Sequence, residues 1–474
     1  MDVLQLPAIG TFLRWKRARL MLQLVLLSLA AAIVVHGLLG PQTAPRNLAT
    51  VVTSIHWRGL LVIAIVAAGN LMCTACPMIL ARDAGRRILP PRFSWPRRLR
   101  RKWIGLALLV AILFSYELFD LWERPAATAW LVIGYFGAAL LVDLLFRGAS
   151  FCKYVCPIGQ FNFIASTMAP AELRVRDANT CRSCRTSDCI RGTRDPVRPL
   201  HIVRRGCELG LFLPSKIGNI DCTLCLDCVH ACPHDNIALT TRVPGMELLE
   251  TRRRSGIGRL SARPDVAALA VTFTFAAIVN AFAMTAPAAG VVRSFANLLG
   301  LSTGAGPLAL VYFIALAAAP AVLLAAAAML TRTAAHDRDR TLTATAMAYS
   351  LALVPFGAGV WIAHYGFHLL TGILTIVPVT QSAAIDLSGW ALLGEPAWRL
   401  SGVQPAAAYP IQLGFVLLGA CGSIGLAHAT ALRDHPARAG RASAPWIAVV
   451  LLLAAASVWI IGQPMEMRGL WSGG

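Results

Sequence analysis

Charge is scarce in this 474-residue chain, and acidic charge is scarcest: 23 Asp and Glu stand against 43 Lys and Arg, and charged residues make up only 14% of the sequence. With 57% hydrophobic residues and a mean hydropathy of +0.63, an ordinary soluble protein is excluded. The first apolar segment lacks a small-residue cleavage site, so it reads as a retained anchor and not as a removed signal peptide, and nothing resembles a transit sequence.

What the chain has instead is apolar sequence in long runs. Stretches able to span a bilayer, each needing about 20 residues, lie near 20–39, 57–76, 103–120, 128–147, 266–286, 307–330, 344–369, 410–430 and 445–462. They predict a polytopic α-helical membrane protein of about nine transmembrane helices. Lys and Arg are retained on the cytoplasmic side of a membrane. With the N-terminus inside, the inner segments hold 37 of the 43 basic residues, leaving only Arg46, Arg58, Arg124, Arg293, Arg399 and Arg468 elsewhere. Parity then places the C-terminus outside. This bias accounts for the net charge of +20, so nucleic-acid binding is not implied.

The same division predicts three regions: four helices over 1–147, a cytoplasmic insert over 148–263, and five helices over 264–474 ending in an outside tail. Ten of the thirteen cysteines fall in the insert. Such clustering on the reducing side of a membrane argues for metal or cluster ligation over disulfides.

One stretch is specific. Cys222-Thr-Leu-Cys225-Leu-Asp-Cys228-Val-His-Ala-Cys232-Pro233 spells the CxxCxxCxxxCP run that holds four-iron clusters in bacterial ferredoxins, with a four-thiolate zinc site as the alternative. Upstream lies a looser set, Cys181, Cys184 and Cys189, followed at a distance by Cys207. By the crossed wiring of two-cluster ferredoxins, Cys222, Cys225 and Cys228 share a cluster with Cys207, while Cys181, Cys184 and Cys189 share one with Cys232. The Cys184 to Cys189 gap is long for this scheme and Cys207 precedes Glu208 instead of Pro, so Cys207 as a free thiol stays open. His230 and His234, beside these cysteines, are candidates for hydrogen bonds that tune potential, or simply exposed loop histidines.

A weak internal repeat ends each of the first two helical hairpins with paired cysteines and a proline, Cys73-Thr-Ala-Cys76-Pro77 and Cys152-Lys-Tyr-Val-Cys156-Pro157. The four thiols are a candidate site for a further cluster or another thiophilic metal; alternatively each pair is a redox dithiol or a docking turn.

Paired Cys-Pro motifs at helix ends joined to a cytoplasmic ferredoxin segment resemble the membrane-bound polyferredoxin family of NapH-, NosR- and CcoG-like proteins. The resemblance covers residues 57–240 and rests on Cys73, Cys76, Cys152, Cys156, Cys222, Cys225, Cys228 and Cys232. It implies a ferredoxin-like α+β insert with 4Fe-4S clusters in a bacterial inner-membrane protein, with clusters cytoplasmic and the C-terminus periplasmic. It also implies electron transfer between the quinone pool or a cytoplasmic donor and a partner redox protein. The chain departs from that family in its first pair (CxxCP, not CxxxCP), in its irregular first ferredoxin half and in the five helices that follow.

Those helices carry His364-Tyr-Gly-Phe-His368, expected near the outer end of the seventh helix with both imidazoles on one side. His36 ends the first helix and His56 precedes the second. With Glu117 and Asp120 taking protons, these residues are candidates for holding a quinone headgroup; interfacial anchoring is the alternative. A b-type haem is disfavoured, because two histidines on one helix cannot supply both axial positions. Asn70, Asp143 and Asn280 read as interhelical hydrogen bonders, and Cys421 as a packing thiol. Met465 and Met467 in the tail would make a thin copper(I) site or a docking segment.

Three functions follow from this reading: a quinol dehydrogenase-type electron-transfer subunit, a copper reduction or assembly factor for a respiratory enzyme, and a redox-sensing regulator or transporter. No repeat or interrupted helix pair of the transporter kind occurs in the second half. The basic insert suits an acidic soluble donor or anionic lipid.

Overall fold

The computed structural model describes residues 1–195, 197 and 202–465. It is a polytopic helical membrane protein with a small strand-containing insert. Among the described residues eight helices are long and apolar enough to cross a membrane: Ala18–Leu39, Leu48–Ala68, Pro125–Leu145, Pro264–Ala283, Ala305–Ala335, Leu342–Ser388, Pro405–Asp434 and Pro436–Ile461. The expected span at 103–120 is the shorter helix Trp103–Leu118, whose 16 residues rise about 24 Å against a hydrocarbon core of about 30 Å.

Two expected boundaries are corrected. The second helix occupies Leu48–Ala68 and not 57–76, because Asn47 starts it and Gly69 stops it. The Asn47 side chain accepts from Ala49 N and donates to His36 O (2.9 Å) and Pro41 O (2.8 Å), so one buried amide closes the first hairpin. Gly69, at φ +77°, takes the left-handed conformation that ends helices. His56 therefore lies inside the second helix, within a π-helical turn at Val52–Trp57. The seventh helical segment runs on to Ser388, interrupted by 3-10 turns at Leu351–Leu353 and Ile373–Thr375.

The chain forms two compact units. The first comprises residues 1–28, 64–108 and 136–266. Its strands make two small antiparallel sheets. Strand β1 (Ala171–Val175) pairs with β4 (Ile237–Thr241), Leu173 opposite Leu239, and β2 (Thr193–Arg194) pairs with β3 (Ile202–Arg204). Its core joins Leu173, Leu211, Leu213 and Ile237 to the buried thiols of Cys222 and Cys228. Leu4 enters the same core, so the N-terminal segment is part of it, and Arg19 pairs with Asp227 at 2.8 Å.

The second unit comprises residues 29–63, 109–135 and 267–474. Its centre is the buried helix Val354–Gly372, packed against Pro405–Asp434. Gly359 and Gly419 face each other, and a Cβ on Gly419 would come to 2.8 Å from Pro355 O; small residues let two membrane helices approach this closely. Buried polar groups find partners across helices: Trp361 Nε1 donates to Phe273 O (2.9 Å) and Trp446 Nε1 to Thr331 Oγ1 (3.0 Å). Cys421 is exposed on Pro405–Asp434, so it points away from the bundle and is not the packing thiol expected. Met465 bridges to Thr285, and Ala286 N donates to Pro464 O, which docks this part of the tail. Met467 and Arg468 lie outside the described residues.

Candidate cluster-binding site

Two hollows in the first unit divide eight of the insert's ten cysteines between them. One, of about 400 Å³, is lined by Cys181, Cys184, Cys189 and Cys232. The other, of about 320 Å³, is lined by Cys207, Cys222, Cys225 and Cys228.

Local backbone explains how each set closes. In the Cys222 run, Asp221, Leu224 and Leu226 adopt positive φ (64°, 53° and 62°), folding the chain around a centre as a straight strand or helix cannot. Left-handed conformations cost a non-glycine residue about 1–2 kcal/mol each, so the packing of Leu224 and Leu226 in the core holds them there. β2 pairs antiparallel with β3, and Cys207 N donates to Cys189 O at 2.9 Å, which sets Cys207 beside Cys189. The missing proline after Cys207 is therefore no obstacle. Backbone and amide N–H groups already aim at sulfur: Leu211 N at Cys207 (3.4 Å), Asn236 N at Cys232 (3.4 Å) and Asn236 Nδ2 at Cys181 (3.3 Å). His234 lines the first hollow and hydrogen-bonds Cys184, whereas His230 lines neither.

The thiols differ sharply in environment. Burial pushes Cys225 and Cys228 well above the usual thiol range, and burial with neighbouring thiols takes Cys189 up to about 11. Cys184, nearly open to solvent, is drawn down to about 7 by the backbone N–H of Ser187 and the Thr186 hydroxyl. Buried thiols held in a ring become thiolates when a metal centre supplies the compensating charge and the protons leave. A buried ammonium also faces the second hollow: Lys216 Nζ donates to Leu173 O (3.1 Å) and Gly218 O. Among the described residues no three His, Cys, Asp or Glu side chains converge closely enough for one metal ion.

The paired Cys-Pro motifs lie in the same unit. Cys73 sits on the short helix Leu71–Thr74, beyond Gly69, and accepts from Asn162 Nδ2 at 3.1 Å. Cys156 caps the helix Pro157–Ala165, its sulfur accepting from Gly159 N at 3.0 Å. Asn70 is not an interhelical hydrogen bonder: its amide donates to Cys222 O (2.6 Å) and Ser166 Oγ (3.3 Å). Asp143 accepts from Phe151 N at 2.9 Å at the entry to the Cys152 turn.

In the second unit a hollow of about 360 Å³ is lined by residues from several helices. Tyr116, Trp122 and Tyr365 form aromatic walls, and Ser54, Glu117, Asn280 and His368 supply polar groups. Arg58 lies over the Tyr116 ring at 4.2 Å and the Tyr365 ring at 5.7 Å. The buried Asn280 Oδ1 and Ser54 Oγ have no hydrogen-bond partner among the described residues. His364 stacks edge-on to His368 at 4.9 Å, behind the lining, so the pair shares a helix face as expected; both are buried within Val354–Gly372 and not at its outer end. His36 and His56 are otherwise engaged. His36 accepts from Leu48 N (3.1 Å) and meets Asp386 (3.2 Å), while His56 contacts Val51 O and Ile373 O. Neither they nor Asp120 line this hollow. Arg58, Tyr116, Ser54 and Trp122 were not singled out from sequence; an arginine inside an apolar run was the available signal.

Comparison with known proteins finds partial similarity to three curated proteins. The chain is 26% identical to the ferredoxin-type protein NapH of Escherichia coli, covering 37% of this chain and 64% of NapH. It is 29% identical to the regulatory protein NosR of Pseudomonas aeruginosa, over 31% of this chain and 21% of NosR. It is also 31% identical to YccM of Escherichia coli, whose name assigns it to electron transport, over 20% of this chain and 22% of that protein. The chain thus spans less than two thirds of the length of each of these relatives. No family model and no solved structure matches. The chain is similar to membrane-associated ferredoxin-type electron-transport proteins.

Proposed function

We propose that this protein is a membrane electron-transfer subunit with two 4Fe-4S clusters, one held by Cys181, Cys184, Cys189 and Cys232 and the other by Cys207, Cys222, Cys225 and Cys228. The observation that carries the reading is the division of eight cysteines into two thiol-lined hollows with N–H groups aimed at sulfur. Bound there, such clusters supply reversible one-electron exchange, with potentials set by burial and by hydrogen bonds to sulfur. In this reading residues 148–263 are cytoplasmic, the C-terminus is periplasmic, and the membrane is the bacterial inner membrane.

Quinone is the proposed membrane partner, with the hollow of the second unit as its site. Aromatic walls suit a flat ring, while Asn280, Ser54 and His368 suit its oxygens. Oxidation of a quinol releases two electrons and two protons, and Glu117 and His368 are placed to accept protons. In membranes, a quinol analogue should reduce the clusters, followed by electron paramagnetic resonance. Asn280→Leu and His368→Ala should slow that reduction at least ~10-fold, a loss of about 1.4 kcal/mol, and leave dithionite reduction unchanged. Clusters indifferent to quinol in the unaltered protein would remove quinone from the scheme.

A second reading, copper reduction or assembly for a respiratory enzyme, is favoured by the thiols of Cys73, Cys76, Cys152 and Cys156. Metal content decides between the readings, in the experiment described next.

A further inference from the structure

We infer that Cys73, Cys76, Cys152 and Cys156 hold a third iron–sulfur centre, joined by hydrogen bonds to the cluster loop of the insert. This inference rests on the electron-transfer reading and adds a site to it.

Independent contacts bring the two pairs together. Cys156 is the first residue of the turn that starts helix Pro157–Ala165, and Asn162 on that helix donates to the sulfur of Cys73. Side chains on a helix lean toward its N-terminus, so Asn162 reaches back to the end where Cys156 lies. Electrostatic neighbours agree: Cys73 senses Cys76 and Cys156, and Cys152 senses Cys156 and Cys76. Neither pair sits on a regular transmembrane helix. Gly69 ends the second span before Cys73, and a π-helical turn at Phe151–Val155 carries Cys152.

The surroundings suit an anionic four-thiolate centre. Asn162 Nδ2 and Gly159 N each donate to a sulfur, at 3.1 and 3.0 Å. Arg82, only 1% exposed, lies close enough to Cys76 and Cys152 to stabilise their negative forms. Its guanidinium is fixed by Asp83 (2.8 Å) and Glu208 (2.6 Å), so a positive charge is held beside the thiols. Thiolate ligands suit iron–sulfur centres as well as copper(I) and zinc, and N–H donors to sulfur are the hydrogen bonds that tune the potential of an iron–sulfur centre.

The connection to the insert is direct. Thr74 Oγ1, between Cys73 and Cys76, donates to Thr223 O at 2.8 Å, and Asn70 Nδ2 donates to Cys222 O at 2.6 Å. The segment carrying one thiol pair is therefore bonded to the backbone of the run that lines the Cys207 hollow, and Cys73 senses Cys222 itself. A centre bound here supplies one-electron exchange with that cluster, in which one is oxidised, the other reduced, and no bond or proton is transferred.

The test is metal content and spectroscopy of the whole protein, purified anaerobically in detergent. The unaltered chain should contain more than the about eight irons of two four-iron clusters. The double variant Cys73→Ser/Cys152→Ser should fall to about eight, losing one paramagnetic signal and keeping the others. Asn162→Leu leaves every sulfur in place and guards against misfolding of the double variant; it should lower the midpoint potential of that one signal only. About eight irons in both proteins, or copper in place of the extra iron, overturns the third centre and leaves the two-cluster reading standing. Iron near zero with the insert folded would sink the two-cluster reading instead.

Discussion

Cys184 and Cys189 are five residues apart, yet one is a reactive thiol and the other an inert one. Cys184 is nearly open and its thiolate is stabilised by the Ser187 N–H, so its pKa falls to about 7. Cys189, half-buried among other thiols, rises to about 11. In metal-free protein the Cys184 thiolate fraction therefore grows as pH rises from 6 to 8, roughly tenfold per pH unit below its pKa and levelling above it. Iodoacetamide at pH 7 should label Cys184 well ahead of Cys189, read by mass spectrometry of a brief pulse. Iron loading should abolish the labelling of both. Spacing alone singled out these two cysteines as candidates, but not the environment of each. Nothing in Cys-Arg-Thr-Ser-Asp-Cys tells a reader that Ser187 takes a left-handed turn at φ 52° and aims its N–H at the first sulfur.

Helices were readable by type and less so by boundary. The second span was expected at 57–76 because Thr53, Ser54, His56 and Arg58 look like a loop by composition. Contacts within the helical bundle suit three of them to a helix: Thr53 Oγ1 bonds Ala49 O, His56 meets Ile373 O, and Arg58 lies over tyrosine rings. Hydropathy averages cannot foresee such pairing. Asn47 as a cap and Gly69 as a stop were both visible and would have set the ends correctly. The strands show the opposite limit. β1 and β4 are five residues each, β2 and β3 shorter still, and two-stranded sheets are marginal alone. If the proposed clusters bind, the insert takes much of its stability from them, since ligation energy becomes folding energy when the site exists only in the folded state. Removing iron with a chelator under reducing conditions should expose 176–236 to protease while the membrane helices stay resistant. Restoring iron and sulfide should return the protection. If the metal-free insert is cut no faster than the loaded one, the hydrophobic core around Leu173 and Leu211 is sufficient by itself.

At the scale of the molecule, charge and cluster exposure act together. In the proposed ligand sets, the Cys207 group packs in a hydrophobic core with Leu173, Leu211 and Leu224, whereas the Cys181 group lies beside exposed Arg182 and Arg185. Electron exchange weakens steeply with distance, so a soluble carrier is best served at the open ring. Long-range steering by basic residues favours a carrier of opposite sign. Sequence had registered the basic excess of the insert without distinguishing an acidic protein from anionic lipid; exposed arginines at a solvent-facing cluster favour the protein. Reduction by an acidic one-electron carrier, followed by stopped flow, should slow markedly between 20 and 300 mM salt, a range over which the screening length falls from roughly 20 to 6 Å. Arg182→Glu/Arg185→Glu should slow the reaction about tenfold at low salt and flatten its salt dependence, because rim charges act on association rate. Iron content and dithionite reduction should be unchanged, since neither arginine contributes a ligand. A rate insensitive to both salt and these substitutions would mean that electrons reach the insert from the membrane side, and that its arginines face lipid headgroups.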